Sequence, residues 1–293
     1  MLPSLPALHQ ALLHWFVAHG RDLPWRHTRD PYHILVAEVM LQQTQVERVV
    51  PKYYAFLTAF PDLSALAAAP TAAVIRAWSG LGYNRRAINL QRVARAAVER
   101  FGGTLPANLS VLTSLPGIGR YTAAAIACFA FELPVPVVET NIRRVLARLS
   151  GRPEPLPERE AWALAAALLP EPAWTWNQAL MDLGATICIV RAPRCLICPL
   201  RELCPSRGAV RSLAEARPAY ASQPFVGSNR WYRGRVIALL RELPPGTTLD
   251  LETLGRALRP TYSPADRPWL QQLVAGLAAD GLLHLDDETV ALP

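Results

Sequence analysis

The chain runs to 293 residues, of which 51% are hydrophobic and 18% charged, with a net charge of +7. That balance supplies two or three cores and excludes a disordered chain. The positive charge is almost wholly arginine, with Lys52 the only lysine, which favours phosphate-bearing partners and leaves little side-chain amine chemistry available.

In chain order, MLPSLPALHQALLHWF lacks a basic leader and a small-residue cleavage site. It reads as an amphipathic helix with Leu8, Leu12, Trp15 and Phe16 on one face, so no secretion is expected. Helical periodicity then dominates to about residue 212, with start signals at Asp30-Pro31 and Pro70 and a stop at Gly102-Gly103. LPGIGRYTAAAIA, from Leu115 to Ala127, sets two glycines between a short helix ending near Leu112 and a long apolar one. Such glycines let backbone N–H groups approach an anion at a helix N-terminus, and a tight interhelical turn is the plainer alternative. The run from Thr122 to Val138 is broken by Glu132 and two prolines, which makes it a core helix and its exit rather than a membrane span.

Four of the five cysteines follow as Cys188-x6-Cys195-x2-Cys198-x5-Cys204. In a chain without a secretion signal this spacing points to a metal site, zinc or a [4Fe-4S] cluster, and the single CxxC pair leans toward iron–sulfur. Arg191, Arg194 and Arg201 beside it could face phosphates, and Cys128 reads as core packing. A Pro- and Ala-rich stretch, SLAEARPAYASQP, separates a last segment with helical patterns near 230–241, 249–258 and 265–279 and a hairpin turning at Asp286-Asp287. That order reads as a winged-helix-like module. In it Arg230, Arg233 and Arg235 accompany Trp231 and Tyr232, a pairing that suits nucleic acid as well as it suits a solvated helix face.

The motifs together resemble the helix-hairpin-helix base-excision glycosylases, the endonuclease III superfamily. LPGIGRYTAAAIA, an acidic residue at 139, NQALMDLGATIC and the cysteine loop carry that likeness over about residues 8–206. LPWR, AEVMLQQTQV and GLGYNRRAINL are most similar to the MutY-type adenine glycosylases. The resemblance implies a mainly α, two-lobed fold with an iron–sulfur loop. A six-helix barrel with the hairpin is expected over 21–135, a cluster domain over 1–20 and 136–212, a linker over 213–224 and the winged-helix-like module over 225–293.

It also implies roles. Glu38 would protonate the purine and activate water, and Glu139 would stabilise a cationic sugar where the family carries aspartate. Tyr121 and Asn141 would assist. Gln43 and Tyr83 would act at the vacated base stack, Leu81 would be a further DNA-binding residue, Trp25, Arg26 and Gln178 would lie near the adenine pocket, and Gly117 and Gly119 on a phosphate. Cys188, Cys195, Cys198 and Cys204 would hold a [4Fe-4S] cluster. The expected partner is double-stranded DNA with a mispair or lesion, bound by a monomer in the bacterial cytoplasm without membrane association. Tyr121 stands where the lyase branch carries its Schiff-base lysine, so a monofunctional enzyme is expected. The rival readings are a glycosylase for thymine, uracil or a damaged purine, and a DNA-binding paralogue weakened at Glu139.

Overall fold

A computed structural model describes residues 4–152, 154–207 and 224–293. All but one residue of the expected linker, 213–224, lies outside them. Eleven α-helices precede residue 207 among the described residues, and none is long and apolar enough to cross a membrane. Two compact units result, one of Met1–Ile34, Ala107–Thr113 and Ile118–Tyr220, the other of Leu35–Pro106, Ser114–Gly117 and Ala221–Pro293. The contiguous barrel expected over 21–135 therefore contributes to both.

The first unit holds α1 (Leu5–His19), α7 (Leu109–Thr113), α8 (Arg120–Phe129), α9 (Thr140–Leu149), α10 (Glu158–Ala167) and α11 (Ala173–Asp182). Leu8 and Leu12 of α1 are fully buried, Trp15 and Phe16 only partly, and α1 packs on α11. In α8 every residue from Thr122 to Phe129 is buried, as its alanine-rich run requires. A five-residue π turn, Leu183–Ile187, extends α11 and packs against α9.

α2 (Pro31–Leu41) runs from the first unit into the second, its first turn bonded to the Asp30 carboxylate. The second unit continues with α3 (Val46–Ala59), α4 (Leu63–Ala68), α5 (Thr71–Ala77) and α6 (Arg85–Phe101). Gly102 and Gly103 end α6 with positive φ, the left-handed stop that glycine permits. The C-terminal part of this unit carries α12 (Asn229–Glu242), α13 (Leu251–Leu258) and α14 (Arg267–Ala279). A small antiparallel sheet ordered β1-β3-β2 completes it, with β1 Leu249–Asp250, β2 His284–Asp286 and β3 Thr289–Ala291. The two-residue strand β1, where the sequence reads as the start of a helix, pairs Leu249 with Val290 and Asp250 with Thr289. Asp250 then caps α13, so strand end and helix start share one residue.

This C-terminal part shares a core with the helices before it: Ile75 and Ile88 join Val236, Ile237, Leu254, Leu270 and Leu277 in one buried cluster. Arg76 donates to the carbonyls of Arg241 and Leu243, and Arg241 returns a 2.9 Å bond to the Ile75 carbonyl.

Candidate active site

Glu139 is the N-cap of α9. One carboxylate oxygen accepts the Asn141 N–H at 2.7 Å and the other the Ile142 N–H at 2.8 Å. Aspartate usually caps through one oxygen, and the extra methylene lets the glutamate fold back and use both. Burial pushes its carboxyl above the usual range, and this outweighs the two amide bonds and the nearby Arg144 charge, which act in the opposite direction. The segment entering the cap is pinned by the buried Asn177, which accepts the Val137 N–H and donates to the carbonyls of Val135 and Ala173. Asn177 also donates to the Cys128 sulfur, so that thiol is a core group, raised to about 11 mainly by burial.

The Asn141 amide oxygen accepts from Arg144 at 2.7 Å, and Arg144 also reaches the carbonyls of Gly184 and Cys188. A Cβ on Gly184 would stand 2.7 Å from Cβ of Asn141, so the π turn can lie this close to α9 only with glycine there. One turn further, Arg148 donates to the Cys188 carbonyl and sulfur, the latter at 3.2 Å, and to the Ile189 carbonyl. Cys188, Cys195, Cys198 and Cys204 line one small cavity with Arg148, of about 30 Å³. Among the described residues no three His, Cys, Asp or Glu close together as a single metal ion would require. Arg191, Arg194 and Arg201 are exposed around the loop, with Arg201 paired to Glu202.

Arg26 and Gln178 meet directly, Nε to Oε1 at 2.8 Å. The remaining edge of the guanidinium forks onto both oxygens of Asp182 at 2.7 and 2.9 Å, while the Arg21 backbone and side chain bond the same carboxylate. Burial alone would raise Asp182, but the bonds from Arg26 and Arg21 and their charges more than offset it and hold the carboxyl below its usual range. Arg26 is thus largely occupied in orienting Gln178, whose NH2 keeps two donors. Trp25 beside it is buried. Asp182, the fully buried centre of this network, lies inside the NQALMDLGATIC motif but has no local signature, because both its partners come from residues 21–26. At the hairpin, Gly119 begins α8 exposed and with open space before it, Arg120 stacks on Trp162 at 4.0 Å, and Tyr121 sits half-buried in the first turn.

In the second unit Glu38 is 5% exposed, flanked by fully buried Ala37 and nearly buried Val39. The end of its helix is held by Arg86, whose Nη1 donates to the carbonyls of Val39, Met40 and Gln42 at 2.6–2.9 Å. Arg86 Nη2 reaches Thr44 Oγ1 and the carbonyls of Leu81 and Gly82. One buried guanidinium therefore ties two loops together, and each loop carries a non-glycine residue of positive φ, Gln43 at 57° and Tyr83 at 44°. Gln43 and Tyr83 are exposed, whereas the Leu81 side chain is buried and does not project from the loop. Burial lowers Arg86 to about 10, and it remains charged. Gly117 has φ +76°, and a Cβ there would strike Asn89 of α6 at 2.7 Å, so this glycine is needed for the turn itself.

Residues 36–169 match the HhH-GPD superfamily of base excision DNA repair proteins. The adenine DNA glycosylase of Mycolicibacterium smegmatis is 40% identical over 278 residues, covering 93% of this chain and 91% of that protein. This chain belongs to the adenine DNA glycosylase family. The human member is 41% identical over 221 residues, covering 71% of this chain and 40% of its own length. Among solved structures, a thermostable thymine-DNA glycosylase superposes with a TM-score of 0.64 at 32% identity, over 68% of this chain and 94% of that one. A trapped endonuclease III–DNA covalent intermediate has the same fold, with a TM-score of 0.60 at 23% identity over 70% and 96% of the two chains. The expected mainly helical, endonuclease III-like architecture is thus observed.

Proposed function

We propose that the chain is a monofunctional DNA N-glycosylase that removes adenine mispaired with 8-oxoguanine or guanine and leaves an abasic site. The observation that carries this reading is Glu38, a carboxyl buried on an apolar helix in a member of an adenine glycosylase family. A carboxyl at this position, when it carries its proton, is a general acid for a leaving purine. In the proposed reaction Glu38 protonates the purine ring as the C1′–N9 bond breaks and its electron pair leaves with adenine. The resulting carboxylate then takes a proton from the water that adds to C1′. Glu139, fixed by the α9 amides, would stabilise the cationic sugar, with Tyr121 and Asn141 supporting it. Gln178, oriented by Arg26 and Asp182, would present its NH2 to the base. Gln43 and Tyr83 would fill the stack that the flipped base leaves. Gly117 and Gly119 would bring the hairpin amides to a phosphate.

The four cysteines fit a [4Fe-4S] cluster. All four cysteines line one cavity, a set of four thiolates is the donor set such a cluster takes, and Arg148 supplies an N–H to the Cys188 sulfur. Bound there, the cluster would staple the loop to α9. The C-terminal helices and sheet follow the order of a winged-helix-like module. Localisation at the bacterial nucleoid and a monomeric state go with the reading.

Single-turnover assays on duplexes carrying A opposite 8-oxoguanine or guanine, beside U:G, T:G and hypoxanthine duplexes, test it. Adenine excision is expected. Release of thymine or uracil alone would favour the second reading, to which the likeness to a thymine-DNA glycosylase gives weight. Binding without excision of any base would assign a paralogue in which Glu139 serves only as a cap.

A further inference from the structure

A groove of about 670 Å³ lies within the second unit, between the 80–85 loop and helices α12 and α14. Six arginines line it against one carboxylate, Asp280. Three of the six are already engaged: Arg86 with the two loops, Arg241 with Asn84 and the Ile75 carbonyl, and Arg233 with Asp280. Arg85 shares Asp280 at 3.4 Å with its side chain 65% exposed. No carboxylate among the described residues pairs with Arg48 or Arg230, and both are exposed. The excess charge is therefore at the open side of the groove and is not neutralised by the fold.

Arg230 is placed distinctively. Its guanidinium lies 5.1 Å from the ring centre of Tyr83 and 5.0 Å from that of Phe225. A guanidinium held by its faces keeps its in-plane N–H groups for an anion. The neighbouring aromatics of α12 do other work. Trp231 stacks edge-on with Tyr232, which meets Trp269, and Arg259 covers Tyr232 and Trp269, all inside the C-terminal part. Of the arginine–aromatic run on α12, Arg230 and Arg233 line the groove, and Arg230 is the one whose guanidinium lies over Tyr83.

We propose that this groove is a further DNA-binding site, which takes the sugar–phosphate backbone of a strand running past Gln43 and Tyr83, with Arg230 and Arg48 as its phosphate contacts. The proposal rests on the reading that Gln43 and Tyr83 meet DNA. Both residues line the groove, and so does Asn89, against which the hairpin glycine Gly117 packs. The groove is thus continuous with the surface assigned to DNA. Arg230 also braces Tyr83, a strained residue, from the side of the C-terminal helices.

The test uses the full chain and a duplex with a tetrahydrofuran abasic analogue opposite guanine, with anisotropy read across a salt series. Arg230→Ala and Arg48→Ala should each weaken binding roughly five- to tenfold and reduce the slope of log K against log salt by about one. Arg230→Lys should keep the slope but recover only part of the affinity, because the ammonium does not stack as a guanidinium does. Both sites are exposed, and unchanged melting curves would show that folding is intact. Unchanged affinity and slope in both alanine variants, in a protein that still excises adenine, would overturn the groove while leaving the glycosylase reading in place. A wild type inert on every base, with the alanine variants still weakened, would overturn the glycosylase reading and leave the groove standing.

Discussion

Glu139 uses both carboxylate oxygens to cap α9, and this decides how its charge can serve a cationic sugar. Each oxygen retains a lone pair after accepting one amide, and the helix N-terminus favours an anion there. Removing the charge in Glu139→Gln should therefore cost on the order of 10²–10³ in single-turnover adenine excision, while Glu139→Asp should keep or raise the rate. Equal rates for wild type and Glu139→Gln, with Glu38→Gln dead, would reduce Glu139 to a cap. The raised carboxyl adds a pH signature. Because the folded state holds its proton more tightly than the unfolded chain, ionised Glu139 costs stability at neutral pH. That cost is relieved as pH falls through the folded value toward 4.5. On the proposed role activity runs the other way, since the ionised form would be the working one. Excision should fall on the acid side at a pH above the ordinary glutamate range, and Glu139→Gln should lose that limb from its residual rate profile.

Helix α9 links the cap to the cysteine loop. Asn141, Arg144 and Arg148 repeat at helical spacing along one face, and their bonds run from the start of the helix to the Cys188 sulfur. If these cysteines hold a [4Fe-4S] cluster, wild type should carry about four irons per chain. Arg148→Met should lower that content, because the N–H on the sulfur and three carbonyl bonds disappear together. Iron analysis and visible absorbance read the result, and full occupancy in the variant would confine Arg148 to packing. Helix starts at Asp30-Pro31 and Pro70, the glycine stop of α6 and the C-terminal hairpin were all legible, since each depends on local backbone chemistry. The cysteine group and the buried setting of Glu38 were legible for a similar reason, spacing in one case and apolar neighbours in the other. Arg86 and Asp182 were not. Arg86 bonds carbonyls between residues 39 and 82, and carbonyls have no residue identity to read. Strand β1 escaped because two residues set no period.

Two properties belong to the whole molecule. The first is its single lysine, Lys52, on α3 with its ammonium end near Gly80. Borohydride should trap no enzyme–DNA adduct, and strand scission should need alkali or heat. Trapping that vanished in Lys52→Ala would identify a lyase. The second is the shared core of the second unit. Were the C-terminal helices an independent appendage, a chain ending at residue 207 would melt as the full chain does. Instead Ile75 and Ile88, buried to within 4%, face Val236, Leu254 and Leu270, the N–H of Ala72 is bonded to the Pro293 carbonyl, and Arg76 is bonded to two carbonyls after α12 begins. Truncation would return both isoleucines to water at about 1.5–3 kcal/mol each. It would also strip partners from Arg76, Ala72 and the Ile75 carbonyl, at about 1 kcal/mol apiece. The sum is comparable with the whole stability margin of a domain. The truncated chain should therefore melt well below the full one or aggregate through the uncovered α5–α6 face, as thermal unfolding with light scattering would show. An unchanged melting temperature in a monodisperse truncated chain would mean that this core is dispensable.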